Sequence, residues 1–170
     1  MTERLRAMFC DHLSIMRGKY LPASKMGDDE SRVAQALFSV HYDKDLLIDA
    51  PHSRCREGIP DMLFRWKAAE IREGWEPDTK VVVSDLHAAD GSPLSLCPRG
   101  ALKRAQAGWR RHGLTAKVGV ELEAYAFVRN EHGQIVPYDN PGGVVYGTGN
   151  FTDPAGFTDA IWETAEAAGF

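Results

Sequence analysis

Two glutamates, Glu121 and Glu123, lie two positions apart in a largely apolar stretch that spans residues 119–127. In a β-strand alternate residues point to one face, so both carboxylates would lie on the same side with Cβ atoms about 7 Å apart. At that separation their oxygens can reach one divalent cation, or one each of two neighbouring cations. Tyr125 and Phe127 share that face, which predicts that it is partly covered. On spacing alone, an ordinary strand whose glutamates face solvent is the more common case.

The other residues that can do chemistry favour structural interpretations. Asp85 and His87 have a spacing that a metal could use, but a surface pair at a strand end is more common. Cys97 precedes Pro98, yet no histidine stands near it in the sequence, so we expect a packed cysteine rather than a reactive thiolate. A run of basic residues without an intervening acid could contact RNA or phosphate, but we expect a solvated helix face or a subunit contact. These basic residues are Arg99, Lys103, Arg104, Arg110 and Arg111.

Length and composition fit a folded protein of one ordinary domain or two small ones. The chain has 170 residues, of which 44% are hydrophobic and 26% are charged, and its formal net charge is −4. This composition excludes a disordered protein, and the acidic balance argues against a nucleic-acid partner. No apolar run approaches the roughly 20 residues of a membrane helix, so no membrane partner is expected. Three scattered cysteines without a CxxC pair are typical of a cytoplasmic protein without a disulfide framework.

The first half of the chain is predicted to be rich in strands. Consecutive valines, Val81–Val83, favour a central strand, whereas the acidic residues 28–31 suit the start of a helix. We expect two strands in residues 5–22 around a turn at Gly18, followed by a short amphipathic helix in residues 28–40. A brief strand at residues 46–48, a loop at 50–58 and a strand at 80–86 are expected next.

The second half is predicted to be helix, strand and helix. Pro98 opens a helix of about 14 residues that Gly113 ends. A long strand is expected over Lys117–Val128, and a loop over residues 139–143. Asp153 is the expected N-cap of the last helix. Leu102, Ala105 and Trp109 share one face of the first helix, and the expected buried stripe of the last is Phe157, Ile161, Ala165 and Ala168.

Several stretches, in the same order, resemble the glutamine synthetase family. Residues 11–19 (DHLSIMRGK) resemble its D-x-x-G-x-x-R-G-K hairpin, and residues 58–62 (GIPDM) its G-x-x-D-M step. Residues 75–93 are similar to the last strand and turn of the family's β-grasp domain. Residues 97–103 (CPRGALK) resemble the C-P-R-x-x-L-K that opens the catalytic domain. Residues 119–125 (GVELEAY) fall where the family has G-x-E-x-E followed by an aromatic residue.

The resemblance implies an α+β fold, with an N-terminal β-grasp domain in residues 1–92 and the first helix–strand–helix part of a catalytic domain in residues 93–170. It implies an ATP-dependent ligase that joins ammonia or an amine to the γ-carboxylate of glutamate through a γ-glutamyl phosphate. Two Mg²⁺ or Mn²⁺ ions would assist, and by motif position Glu121 and Glu123 would each ligate one. The family forms rings in which one subunit's β-grasp domain meets the next subunit's catalytic domain.

The sequence departs from the family pattern in ways that bear on function. Ser14 replaces a glycine of the hairpin motif, and the family's ammonium-binding D-G-S-S is absent; Asp49 is the remaining candidate for that role. This favours a γ-glutamyl-amine ligase over a housekeeping glutamine synthetase. The family's other ligands would lie beyond Phe170, so we expect an incomplete, inactive piece of a longer ligase. The alternative is a naturally short, non-catalytic β-grasp protein that serves assembly or partner binding.

Overall fold

The computed structural model describes residues 3–121, 123–140 and 142–169, which form an α+β protein, so the predicted fold class is confirmed. The strands are β1 (Arg4–Cys10), β2 (Met16–Pro22), β3 (Asp29–Ala34), β4 (Asp61–Trp66), β5 (Arg72–Glu73), β6 (Thr79–Val83), β7 (Asp85–His87), β8 (Phe127–Arg129) and β9 (Ile135–Pro137). The α-helices are α1 (Pro98–Arg111) and α2 (Phe157–Ala167). Short 3-10 helices span Ala23–Lys25, Gln35–Ser39, Cys55–Glu57 and Ala68–Glu70.

The chain divides into two compact units, one up to Ala116 and one from Lys117 onward. The first unit holds β1 to β7 together with α1, and the second holds the β8–β9 hairpin together with α2. The predicted boundary near residue 92 separates a β-grasp part from a catalytic part of the family fold, and it stays a prediction. None of the described helices has the length and apolar character needed to cross a bilayer.

A four-stranded sheet in the order β2-β1-β6-β5 forms one layer of the first unit. The β1–β2 hairpin is antiparallel and β6 runs parallel to β1. The two strands of this hairpin are as predicted. The turn lies at residues 11–15 and not at Gly18, which is inside β2 and pairs with Met8 of β1. Any Cβ at Gly18 would stand 2.1 Å from the carbonyl oxygen of Ala7. The glycine therefore permits close strand approach rather than a turn.

A three-stranded antiparallel sheet in the order β3-β4-β7 forms the second layer. The hydrophobic core contains side chains of both sheets, which bury their apolar faces against each other and the chain that follows. Its buried members are Leu5, Ala7, Phe9, Phe38, Met62, Phe64, Trp66, Val82, Leu86, Leu94 and Cys97. The first unit thus possesses a core of its own.

The helix predicted over residues 28–40 is wrong. Asp29–Ala34 form β3, paired with β4 along its whole length, and Gln35–Ser39 form a 3-10 helix. The helical spacing of apolar residues is outweighed here by pairing with β4, a mostly buried strand whose backbone groups bond to those of β3. The carboxylate of Asp28, which had suggested a helix start, instead accepts hydrogen bonds from the Lys67 ammonium and the backbone N–H of Ala68.

The strand predicted at residues 80–86 is really two strands in two sheets. β6 ends at Val83, the N–H of Ser84 donates to the carbonyl of Met8 at 2.7 Å, and β7 begins at Asp85. The brief strand expected at residues 46–48 is reduced to an isolated bridge between Val40 and Leu46. The loop expected at residues 50–58 is present, with a single 3-10 turn inside it.

Helix α1 matches its predicted bounds. The Cys97 thiol accepts a hydrogen bond from the N–H of Gly100, and Gly113 follows the helix with φ 72°. The face that carries Leu102 and Trp109 is open to solvent, because Leu102 is 59% and Trp109 55% exposed. The helix meets the body of the unit through a different side, the one that carries Arg99 and Lys103.

The second unit differs more from expectation. The long strand predicted over Lys117–Val128 is wrong for residues 117–121 and 123–126, which have no regular structure; Leu122 lies outside the described residues. Only β8 is formed, because β9 offers just three residues to pair with. Helix α2 starts after Gly156, whose φ is 65°, rather than directly after Asp153. In its predicted buried stripe Ala168 is buried, but Phe157 and Ile161 are both 53% exposed.

Candidate functional site

The acidic pair, Glu121 and Glu123, lies in the irregular segment between α1 and β8, and both side chains are exposed. The partial cover expected from neighbouring aromatic residues is not found, because Tyr125 is 92% exposed and Val120 77%. Within the described part of the chain, neither carboxylate takes part in an ion pair or a side-chain hydrogen bond. Both are therefore open to solvent and available as ligands, and their predicted metal role stays a prediction.

A metal ion would find carboxylate oxygens at the acidic pair but few other donors. Across residues 3–121, 123–140 and 142–169, no group of three or more His, Cys, Asp or Glu side chains is close enough to hold a metal ion. Mg²⁺ is often bound by only one or two carboxylates, with water and phosphate oxygens completing six ligands. The donor type thus fits a divalent ion, while the number of protein ligands is too small for a tight site.

The hairpin motif is built around Asp11. Its carboxylate is fully buried and accepts hydrogen bonds from the N–H groups of Leu13 and Ile15, both at 2.9 Å, and from the Arg17 guanidinium at 2.7 Å. Burial by itself would raise the pKa of Asp11, but these hydrogen bonds outweigh it and lower the pKa below its usual value. The motif residues Asp11 and Arg17 therefore hold the β1–β2 turn in shape.

Ser14 occupies the turn in a conformation that glycine prefers. Its φ is 61°, in the left-handed region, and its N–H donates to the carbonyl of Asp11 at 3.1 Å. A non-glycine residue is strained there by about 1 kcal/mol or more. Serine therefore occupies the position of the family's glycine in a glycine-like backbone conformation, at some cost in stability.

Asp85 is held by cations rather than poised for metal binding. One oxygen accepts a hydrogen bond from Nε of Arg99 at 3.1 Å and the other from Nζ of Lys103 at 2.5 Å. Arg99 also reaches the Glu70 carboxylate at 3.4 Å. Burial would raise the pKa of Asp85, but the bonds from Lys103 and Arg99 lower it. The Nδ1 atom of the neighbouring His87 is buried and has no hydrogen-bond partner in the described structure.

An ionic cleft of about 610 Å³ lies over the outer face of the three-stranded sheet beside this cluster. Its lining is acidic, with five carboxylates against Arg65 and Lys67, which pair with Glu30 and Asp28 respectively. The lining residues are Asp28, Asp29, Glu30, Arg65, Trp66, Lys67, Glu70, Asp85 and His87. Sequence reasoning missed this arrangement, although Asp85, Arg99 and Lys103 all lie inside stretches that carry the family resemblance.

Asp49 lies at the exposed end of the long loop that follows the 3-10 helix Gln35–Ser39. Its carboxylate forms a two-point ion pair with Arg56, at 2.6 and 3.1 Å, and both side chains are about three-quarters exposed. The loop is kept compact by Ser53, whose buried hydroxyl donates to the carbonyl of Ile48 and accepts from the N–H of Cys55. The chemical role predicted for Asp49 is not tested by this geometry.

Sequence comparison connects the chain to curated ligases. A γ-glutamylanilide synthase of an Acinetobacter species is 41% identical over 137 residues, covering 72% of this chain and 27% of that protein. A γ-glutamylethanolamide synthetase of Streptomyces coelicolor is 35% identical over 92 residues, covering 54% and 20%. A type-1 glutamine synthetase of Dictyostelium discoideum is 32% identical over 124 residues, covering 68% and 23%. No protein-family model matches the chain.

Structure comparison supports the same fold assignment. The crystal structure of a novel glutamine synthase homologue superposes with a TM-score of 0.64 over 99% of this chain and 39% of that one, at 16% identity. The resemblance to the glutamine synthetase family is therefore confirmed in sequence and in fold. The matched region is only 20 to 27% of the length of the three curated relatives named above.

Proposed function

We propose that this chain is the N-terminal portion of an ATP-dependent, glutamine synthetase-like ligase. The reaction would join ammonia or an amine to the γ-carboxylate of glutamate through a γ-glutamyl phosphate. The observation that carries the proposal is the 41% identity to a γ-glutamylanilide synthase over 137 residues. As a portion, the chain would be inactive by itself, because phosphoryl transfer needs ATP and metals held by a complete set of ligands. The parent protein would act in the cytoplasm as a ring-forming homo-oligomer.

Glu121 and Glu123 would each hold one of two Mg²⁺ or Mn²⁺ ions. Bound there, the ions would neutralise charge on the phosphoryl group as it moves from ATP to glutamate. The support from this structure is that both carboxylates are exposed and unpaired within its described residues, so no protein cation has to be displaced before they ligate. The remaining ligands would come from water, phosphate and other parts of the complete ligase.

The co-substrate would be an amine larger than ammonium. Two of the curated relatives are named for γ-glutamyl amides of aniline and ethanolamine. The family's D-G-S-S is absent here, and the only candidate that replaces its aspartate, Asp49, is already neutralised by Arg56. A carboxylate paired in this way attracts a free ammonium ion less strongly than an unpaired one.

The metal role is tested by Glu123→Ala in the ligase that contains the complete catalytic part. We expect loss of ATP-dependent γ-glutamyl amide formation, measured as ADP and amide released with methylammonium, ethylamine or ammonium as the amine. Glu131→Ala is the matched control, because Glu131 is also an exposed acid and its carboxylate pairs with the neighbouring His132. Turnover retained by Glu123→Ala would remove the metal assignment, whereas absence of turnover in the unsubstituted ligase would favour the non-catalytic β-grasp protein.

A further inference from the structure

Helix α1 is attached to the first unit mainly through charge. Its apolar residues Leu102 and Trp109 are largely exposed, so they contribute little to holding it. Arg99 and Lys103 join it to the three-stranded sheet, because each forms an ion pair with one carboxylate oxygen of Asp85 on β7. The Cys97 thiol, buried in the core, fixes only the first turn of the helix. Such an attachment is unusual because helices ordinarily dock through an apolar stripe.

The charges continue across the sheet in an alternating row. Arg65 on β4 stands directly opposite Asp85, and its Nε donates to the Glu30 carboxylate on β3 at 2.7 Å. The guanidinium of Arg65 also reaches the carbonyl of Gly91, in the turn that leads towards α1. Acid, base, acid and base therefore follow one another from β3 through β4 and β7 to α1. Each charge in the row has an opposite charge on a neighbouring element, which compensates for its partial burial.

We infer that Asp85 is a positioning residue that sets the location of α1 on the three-stranded sheet. The helix leads directly into the segment that carries Glu121 and Glu123. The relevance of Asp85 to catalysis rests on the proposed function, whereas the docking itself does not. Removing the negative charge of Asp85 would leave Lys103 without its carboxylate partner and Arg99 with only the longer contact to Glu70, and would release the helix beyond its first turn.

The test is backbone hydrogen exchange on this chain, without ATP or metal, for wild type, Asp85→Asn and Glu57→Gln. We expect α1 amides to exchange about tenfold faster in Asp85→Asn, because two charge-assisted hydrogen bonds are lost, while β1 and β6 amides are unchanged. Glu57→Gln breaks an ion pair of 2.7 Å with Arg54, elsewhere on the surface, and should leave α1 unchanged. Unchanged exchange of α1 in Asp85→Asn would overturn the inference.

A second pair of variants covers the case in which Asp85→Asn also loosens the sheet. Lys103 is about half exposed on α1, so its substitution does not disturb the core. We expect Lys103→Gln to speed α1 exchange about threefold and Lys103→Arg, which keeps the charge, to stay close to wild type. Equal effects of the two substitutions would show that shape rather than charge docks the helix, and would overturn the inference. Failure of metal binding or ligation would count only against the proposed function.

Discussion

The two units of the chain differ in how they hold themselves together. The first packs two sheets around a closed core, with Leu5, Phe64 and Val82 almost fully buried. In the described part of the second unit only Gly142 and Ala168 are buried, and its order comes from the β8–β9 hairpin, helix α2 and local hydrogen bonds such as Thr158 N–H to Asp153. Both units contain apolar side chains at regular spacing, but only the first unit buries them in a core of its own.

The difference between the units has a direct energetic meaning. Burial of apolar surface is the main stabilising contribution to folding, so the first unit should carry most of the stability of the chain. The exposed acidic pair belongs to the second unit, where few contacts oppose movement of the backbone. The part of the chain with the closed core is therefore distinct from the part that carries the candidate metal ligands.

The largest expected effect is that of Phe64→Ala. Phe64 is fully buried and its ring lies 5.5 Å from Phe9 and 5.9 Å from Trp66. Removing it should lower the free energy of unfolding by about 3–5 kcal/mol. Denaturant unfolding followed by tryptophan fluorescence measures the change. Phe157→Ala, at an aromatic residue of the second unit that is half exposed, is the matched control and should cost less than about 1 kcal/mol. Similar losses for the two variants would break the comparison.

The second largest loss of stability is expected for Asp11→Asn. It leaves the Arg17 guanidinium without a charged partner beside a buried amide, so the free energy of unfolding should fall by about 2–4 kcal/mol. Denaturant unfolding at pH 7 again gives the value. Asp43→Asn, at an exposed loop acid of the same unit, controls for the loss of one negative charge and should change stability little. A loss below that of the control would show that the turn does not depend on the Asp11 carboxylate.

The pH dependence of stability sharpens the same point. The pKa of Asp11 is lowered in the folded state, so its carboxylate contributes stability that is present above the unfolded pKa of about 3.9 and is lost as pH falls through the folded pKa. We expect wild-type stability to decrease below about pH 4 and the decrease to be smaller in Asp11→Asn. Parallel curves for the two proteins between pH 7 and pH 2.5 would contradict this assignment.

The smallest expected effect is a gain. Ser14→Gly relieves the left-handed backbone at φ 61° and should raise the free energy of unfolding by up to about 1 kcal/mol, reduced by the greater freedom of glycine in the unfolded chain. Thermal unfolding monitored by circular dichroism is the measurement. Gly113→Ser, at φ 72° after α1, is the reverse change and should lower the unfolding temperature. A decrease with Ser14→Gly would mean that the serine side chain stabilises the turn.

Sequence reasoning succeeded where local chemistry decides the structure. Pro98 and Gly113 mark the ends of α1, and the apolar runs of β1 and β6 mark the strands of the central sheet. It failed where a distant partner decides, as in β3, whose acidic start and helical spacing give no sign of β4. The strand expected around Glu121 failed for the opposite reason, because the described chain supplies only the short β9 as a neighbour.

The candidate site was predictable only in part. The acidic pair was identified from spacing and from the family resemblance, and solvent exposure was one of its two expected states; the irregular backbone was not expected, because the alternation of residues assumes a paired strand. The Asp85 cluster was missed because its members lie in separate stretches of sequence that meet only through the fold of β7 and α1. Ion pairs between distant residues leave no periodic signal in the sequence.

The junction at Ser84 ties the two sheets of the first unit into one register. Val82, Ser84 and Leu86 keep their side chains on the same inward side while the backbone changes hydrogen-bonding partners from β1 to β4. One residue inserted or deleted at Ser84 would reverse the alternation of side chains on one side of the junction. Either Val82 of β6 or Leu86 of β7 would then point away from the core. Because β6 and β7 belong to different sheets and are joined only by Ser84, we expect a pulling force on one of these strands to act on both sheets, so that the two sheets unfold together.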